Sequence, residues 1–342
     1  MKIGLTFNLK EDLGYYSEFQ EEFDSEETIE AISKVFKDLG HQVVRLGASI
    51  KTVDLIKKNK IDFVFNIAEG YNQRSRESQI PSLLEMLKIP YSGSDPVTLG
   101  LALDKVLAKK IMKAGGIPTP KYNVIDNLEE VKVSDLGLKY PLITKPAWEG
   151  SSKGIYNDSK VENFYELERS LIVLFDKYPN HPLVIEEYIK GKEITVGVIG
   201  NNNPSILGMM EIGLKNYLSS DFFYSLEIKR DWERLVSYKV PPDIEDLVKD
   251  KLSMYSLLTF REFGCRDVAR VDFRISEENE IFVLEINPLP GLSPKYSDLV
   301  IMTSKLGISY RDLIENIFFC ALSRHRLSCD KEAVREIPKY SI

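Results

Sequence analysis

The residue types best suited to chemistry lie on two strand-like segments: Arg270-Val-Asp272-Phe-Arg274 and, past a turn at 277–279, Ile281-Phe-Val-Leu-Glu285-Ile-Asn287-Pro-Leu-Pro-Gly291. Alternate residues of a strand face one side, so Arg270 and Asp272 point together, as do Glu285 and Asn287. A hairpin sets the two pairs across from each other. Three oxygen-bearing side chains beside an arginine form a hard-cation site of the kind that holds Mg²⁺ against phosphates. The competing reading is the wet face of an amphipathic hairpin. The stiff Asn-Pro-Leu-Pro-Gly turn next to the carboxylates tells against it.

Two further segments supply partners. Lys145-Pro-Ala-Trp-Glu-Gly-Ser151-Ser152-Lys-Gly154 sets a lysine at the end of an apolar strand, ahead of a loop of small residues. Small residues let backbone N–H groups approach an anion, and the lysine adds charge, a combination suited to a polyphosphate, although a flexible surface turn has the same composition. Neither GxxxxGK[ST] nor GxGxxG occurs, which excludes a P-loop and the common dinucleotide fingerprint. The third segment, Val184-Ile-Glu186-Glu187-Tyr-Ile189-Lys-Gly-Lys-Glu193, offers backbone groups to a planar base and carboxylates to an amino group or sugar hydroxyls. Charged linker residues would look similar.

These segments need rigid elements to hold them. Apolar runs at 2–8, 41–46 and 61–67 alternate with helical spacing at 25–39 and 52–59, which predicts a parallel sheet with helices on its faces. Ser25 reads as a helix cap and Gly40 as a stop. Residues 88–96 read as a strand and a turn, and a helix runs from Asp104 to about Ala114 before the break at 115–120. Beyond it, YPLITKP and LVIEEYI read as strands around a helix at 160–178. ITVGVIG and SILGMMEI form a hairpin over the turn 200–204. Helix 243–263, strands 267–275 and 280–286, and a helix at 310–325 follow. Residues 214–241 fit neither period and read as a long functional loop. The expected organisation is an α/β chain with an N-terminal domain at 1–103, two α+β lobes at 104–189 and 190–330, and a tail at 331–342.

Composition narrows the function. In 342 residues, 45 Lys+Arg stand against 52 Asp+Glu, a net charge of −7 that leaves no broad basic face for nucleic acid. Cys265, Cys320 and Cys329 are too few and too scattered for a disulfide framework or a CxxC site. No apolar run approaches the roughly 18 residues of a membrane span. A cytoplasmic protein with no membrane and no nucleic-acid partner is expected.

Taken in order, SGSD at 92–95, Asp104-Lys105, KPAWEGSSKG, IEEYIKGKE, RVDF and LEINPLPGLSP resemble an ATP-grasp ligase of the D-alanine:D-alanine ligase family, over residues 61–317. The resemblance implies a parallel-sheet domain followed by two ATP-grasp lobes, with ATP bound between the lobes. It implies that Lys105, Lys145 and Lys229 hold the phosphates under a loop carrying Ser151 and Ser152, with Lys229 on a mobile lid. Glu186 and Ile189 correspond to the adenine hinge and Glu193 to the ribose carboxylate. Asp272, Glu285 and Asn287 correspond to the ligands of two Mg²⁺ ions, with Mn²⁺ able to serve in their place. Arg270 and the Gly291 N–H correspond to the groups that stabilise the tetrahedral intermediate, with Ser151 among the catalytic residues. It further implies small amino-acid substrates and a homodimer.

The departures fall in the acceptor half. No glycine-rich segment with an amino-gripping glutamate is present, and Glu26 or Glu27 is only a positional match. The segment from Asn66 carries Glu69, Arg76 and Glu77 where the family has His-Gly, and Arg230 stands where a tyrosine is usual. The acidic segment around Glu26, the Glu69 to Glu77 loop and Tyr296-Ser297 are therefore expected to shape the amino-acid pocket, Glu69 gripping an ammonium and Arg76 a carboxylate, although a solvated Arg/Glu loop has the same composition. The expected activity is ADP-forming ligation of two small amino acids through an acyl phosphate. The alternatives are a nonenzymatic nucleotide-binding module and an ATP-grasp protein acting on another carboxylate. A dinucleotide oxidoreductase would need a glycine-rich first turn, and the first strand ends in TFNLKEDLGYY instead.

Overall fold

Buried apolar runs build the first sheet. The computed structural model describes residues 1–11, 17–71, 74–128, 136–215 and 222–327; the expected tail, Cys329, positions 72–73 of the Glu69 to Glu77 loop and positions 216–221 of the expected lid lie outside them. Strand β1 (Lys2–Thr6) is buried along most of its length, and α1 (Glu26–Asp38) lays Ile29, Ile32, Val35 and Phe36 against the core. Ser25 caps α1 by accepting from the Thr28 N–H, and Gly40 follows its end at φ 81°, both as the sequence predicts. With β2 (Gln42–Arg45), α2 (Lys51–Asn59) and β3 (Phe63–Asn66) the alternation closes into a parallel sheet ordered β2-β1-β3.

The next stretch differs from expectation. Residues 88–96 contribute only one parallel bridge, Tyr91 to Val64, and lie between two helices that apolar spacing does not reveal, α3 (Gln79–Leu87) and α4 (Pro96–Leu103). A signal for α4 is nevertheless present: Asp95 accepts from the Thr98 N–H as its cap, with Pro96 at the first helical position. Helix α5 (Lys105–Ala114) begins at once, capped by Asp104 Oδ1 on the Val106 and Leu107 N–H groups.

Strands β4 (Tyr122–Ile125), β5 (Leu142–Pro146) and β6 (Lys160–Val161), helix α6 (Phe164–Lys177) and strand β7 (Leu183–Glu187) form an antiparallel sheet ordered β4-β7-β5-β6. Leu167, Leu171 and Leu174 of α6 fill its core. The largest sheet follows. It takes β8 (Gly191–Gly200), β9 (Ser205–Leu214), helices α7 (Leu226–Arg230) and α8 (Trp232–Leu235), β10 (Val236–Lys239), α9 (Asp246–Glu262), β11 (Asp267–Ser276) and β12 (Ile281–Asn287), with strand order β10-β9-β8-β11-β12. Both expected hairpins are present. The described part of 214–241 is not irregular. It holds α7, α8 and β10, and β10 pairs antiparallel with β9 from Val236 opposite Leu214. Elements of four or five residues are too short to show a period, and pairing with β9 fixes this one.

Helices α10 (Asp298–Lys305) and α11 (Tyr310–Arg324) join the layers. A side chain at Gly197 or Gly208 would meet Met302 or Leu306 at 2.6 or 2.4 Å, so bare backbone lets α10 lie close on the large sheet. On the other side, Phe318 of α11 packs edge-to-face with Phe36 and Phe63 of the first sheet. The opposite face of the large sheet takes Met112 of α5 and Leu252 and Phe260 of α9. Among the described residues, no helix is long and apolar enough to cross a membrane.

One buried ion pair locks α11 in place. Arg324 donates to Asp267 through Nε at 3.2 Å and Nη2 at 2.9 Å, and to the carbonyls of Tyr91 and Gly93 at 2.8 and 3.0 Å. Asp267 is fully buried and also accepts from the Gly93 N–H at 2.8 Å. Removing the cation strands a carboxylate away from water, so Arg324→Ala should cost about 3 to 5 kcal/mol of stability, read as a lower urea midpoint by circular dichroism. A midpoint equal to that of the unaltered chain would show that the pair contributes nothing net.

Candidate active site

The hairpin of β11 and β12 meets the expectation. Arg270 stands opposite Asn287 and Asp272 opposite Glu285, and the register shifts just beyond, between Asp272 and Phe273. Arg270 grips Asp272 with two parallel bonds at 2.9 and 2.8 Å; Thr195 and Asn287 donate to the same carboxylate at 2.6 and 2.9 Å. Arg270 also lies 3.4 Å from Asp298, and although burial alone would lower its pKa, these carboxylates raise it, so it stays charged. Glu285 is partly open, 3.6 Å from the Lys105 ammonium. Burial opposes its ionisation, but Lys105, Lys145 and Arg270 together hold its pKa below the usual carboxylate value.

Those donors fit a hard cation. Two carboxylates face each other across the strands, and the Asn287 Nδ2 donates to Asp272 and reaches Glu285 at 3.5 Å. Half a turn of that amide presents its oxygen instead, completing an all-oxygen set.

The lysines gather on the facing wall. Lys145 donates to Glu186 of β7, and Lys109 reaches the other oxygen of Glu186 at 2.7 Å. Burial would raise the Glu186 pKa, but the two ammonium groups hold it down to about 2, while burial pulls Lys109 down to about 8. Sequence reasoning misses Lys109, although it follows Lys105 by four residues on α5 and so shares its face. Lys105 donates to the Glu149 carbonyl. Ile189 and Glu193 are both tied to Arg274, which donates to the Ile189 carbonyl at 2.9 and 2.8 Å and to Glu193 at 3.3 Å. Burial nevertheless pushes Glu193 up to about 7. Arg274 lies two residues beyond Asp272, and the period of a strand could have flagged it.

The loop after β5 bends through Ser151 and Ser152 at φ 52° and 60°, an uncommon region for residues with side chains. It meets the α7 segment directly. Ser152 Oγ donates to the Tyr224 carbonyl at 3.1 Å, Ser225 Oγ to Asn157 Oδ1 at 2.7 Å, and the Leu226 N–H to the Ile155 carbonyl at 2.9 Å. Lys229, one turn along α7, lines the cavity, and burial lowers its pKa. Gly291 closes the far end; a Cβ there would stand 2.8 Å from Ser297 Oγ. Apart from Lys105, which borders it through Glu285, every residue expected at the nucleotide, metal and catalytic sites lines this one cavity.

The substrate side departs from expectation. Glu26 is bound to Arg45 at 2.6 Å and Glu27 to Lys295 at 2.7 Å, and neither lines the cavity. Glu22 does, accepting from Arg76 at 3.1 and 2.7 Å, from Lys153 at 2.9 Å and from the Gly150 N–H at 3.1 Å. Arg76 also donates to the Trp148 carbonyl at 2.7 Å, so its guanidinium braces the Ser151 loop against the first sheet and is not free for a substrate carboxylate. These bonds span 54 to 131 residues of chain, which no local pattern can reveal. Glu69, Tyr296 and Ser297 do line the cavity, as expected.

Two antiparallel layers that close lysines over a carboxylate hairpin define the class, an ATP-grasp ligase. Residues 111–318 match the family model described as D-ala D-ala ligase C-terminus. The D-alanine–D-alanine ligase of Carboxydothermus hydrogenoformans is 35% identical over 305 residues, covering 86% of this chain and 92% of that protein. An uncharacterised protein of Sinorhizobium fredii, y4sG, is 36% identical over 262 residues, covering 77% and 75%. The crystal structure of the Bacillus anthracis D-alanine–D-alanine ligase complexed with ATP superposes with a TM-score of 0.74 at 26% identity, covering 95% of this chain and 99% of that one. The chain belongs to the D-alanine–D-alanine ligase family and is an ATP-dependent ligase.

The Glu22 cluster carries a pH signature. Burial would raise the Glu22 pKa, but Arg76 and Lys153 outweigh it and hold it at about 2, against an ordinary 4.5. A depressed folded-state pKa adds stability above the unfolded value, and that stability fades as pH falls from 4.5 towards 2. The full effect is about 3 kcal/mol. The stability gap between the unaltered chain and Glu22→Gln should therefore narrow over that interval in urea titrations; a gap that does not change with pH would contradict the ion-pair assignment.

Proposed function

We propose that the chain joins two amino acids at the expense of ATP, releasing ADP and phosphate. The supporting observation is the set of lysines facing the Asp272, Glu285 and Asn287 hairpin across one cavity. An amino-acid carboxylate is a poor electrophile. Transfer of the γ-phosphoryl of ATP to one of its oxygens makes an acyl phosphate, whose phosphate leaves when the amine of a second molecule attacks the carbonyl carbon. In this reading Lys105, Lys145 and Lys229 hold the phosphate oxygens and offset the charge in transfer. Glu186 occupies the lysines until nucleotide arrives, the Ile189 backbone borders the adenine, and Glu193 takes the ribose hydroxyls.

Asp272, Glu285 and Asn287 would hold Mg²⁺, which would supply positive charge against that of the phosphates. Arg270, kept charged and in place by Asp272, stabilises the oxyanion together with the Gly291 N–H, a position where bare backbone leaves room for Ser297. Ser151 sits in the loop that covers the reacting carboxylate and excludes water, which would hydrolyse the acyl phosphate. A cytoplasmic homodimer joining D-alanine to itself or to a related small amino acid is the corresponding biological form.

The first test is ADP release on adding ATP, Mg²⁺ and D-alanine or related amino acids. Glu285→Gln should lower that turnover by at least a hundredfold while leaving the far-ultraviolet circular dichroism unchanged, because a neutral amide cannot balance a divalent charge. Full activity in the folded variant would remove Glu285 from the metal site.

A second test concerns the α7 segment, which touches the Ser151 loop through a few polar bonds and carries Lys229. Limited proteolysis between 222 and 240 should slow when an ATP analogue and Mg²⁺ are added. Equal cleavage with and without them would rule out a nucleotide-coupled lid.

A further inference from the structure

The amino-acid end of the cavity holds more carboxyl groups than one α-ammonium can match. Asp24 precedes the cap of α1, Glu69 follows β3, and Glu77 precedes α3, so all three lie beyond the carboxyl ends of β1 and β3, where ligands sit in open α/β sheets. All three line the cavity. Glu77 is only 9% exposed, and among the described residues no side chain or N–H bonds its carboxylate or those of Asp24 and Glu69.

The neighbouring cations form their bonds elsewhere, and Lys10, Arg76, Lys105 and Lys153 offset only part of the burial at Asp24 and Glu77. Arg76 and Lys153 are bound to Glu22 and Glu149, and Lys10 lies over the Tyr296 ring at 5.7 Å. Glu22 shows what a satisfied carboxylate looks like in this place, with four donated bonds. A buried charged group without a partner is costly, so Glu77, with the half-buried Asp24 and Glu69 on the same wall, is a feature to be explained by what it binds.

We propose that this wall takes a substrate amino acid carrying a second cationic group, a basic or diamino acid, with Asp24, Glu69 and Glu77 sharing its α-ammonium and side-chain cation. The inference rests on the ligase reading and specifies its substrate. Burial independently raises the pKa of all three groups, Asp24 and Glu77 to about 7, and Glu69 is raised further by Glu77 and Glu22. A bound dication would reverse that shift. Charge-assisted bonds of this kind discriminate strongly, because a neutral side chain would leave the carboxylates unpaired.

The experiment uses the intact chain with ATP and Mg²⁺. ADP release is measured for both enantiomers of alanine and serine against those of 2,3-diaminopropionate, ornithine, lysine and arginine, each alone and mixed with alanine. At least one basic amino acid should exceed alanine tenfold or more in kcat/KM. Glu77→Gln and Glu69→Gln, checked for folding by thermal melting, should lower that value more for the basic substrate than for alanine. Alanine equal to or better than every basic amino acid would overturn this inference and leave the ligase reading standing. Silence across the whole panel would count against the ligase reading. Calorimetric binding of diaminopropionate and ornithine against alanine, in the presence of an ATP analogue, then decides the inference separately: tighter binding of the basic compounds supports it, and equal or absent binding overturns it.

Discussion

A charged group taken out of water must find a partner, and where the sheets of this protein meet, that requirement organises the molecule. Glu186 holds Lys109 and Lys145, Arg270 holds Asp272, and Glu22 holds Arg76 and Lys153. Each of these pairs links elements far apart in sequence or fixes the angle of a group facing the cavity. Breaking one would leave a charge stranded in a low-dielectric region, a penalty larger than most packing changes. The pairs therefore act as positional constraints, and the sheets supply the frame that makes them reachable.

The frame is economical. The parallel first sheet contributes the ends of its strands, where acidic residues collect. The small antiparallel sheet contributes Lys145 and Glu186 from neighbouring strands, β5 and β7. The large sheet contributes the carboxylate hairpin, with β11 paired on both sides, to β8 and to β12, so that its side chains are held more firmly than loop residues could be. Helices α10 and α11 fill the space between the first and third sheets with apolar side chains. The cavity is where the three layers fail to touch. The wall that carries Lys145 and Lys229 is basic and the end beside β1 and β3 is acidic, an asymmetry that suits a reaction between a polyanion and molecules bearing ammonium groups.

Several parts of this arrangement were legible in the chain. Period-two patterning placed Arg270, Asp272, Glu285 and Asn287 on one face because strand geometry admits no alternative once the hairpin forms. Capping chemistry marked Ser25, since its side chain answers an N–H group that every helix start leaves open. The ordered motifs are specific enough to identify the ligase family. Less legible were α3, α4 and the short elements of the α7 to β10 segment, whose lengths are too small for a period and whose positions depend on neighbours.

What the sequence determined by itself was therefore local: which segments are strands or helices when they are long enough, which residues share a face, and the ordered set of motifs that names the family. What tertiary structure decided was the partner of each charge. Arg76 looked like a substrate ligand and proved to be a brace for Glu22; Glu26 and Glu27 looked like substrate ligands and proved to be bound to Arg45 and Lys295. Lys109 carried only its place one turn after Lys105, and the fold set Glu186 beside it. The reason is physical: a residue's type and its place on an element follow from short-range geometry, whereas its pairing depends on which distant group the folded chain brings within about 3 Å, the distance at which a charge-assisted bond forms.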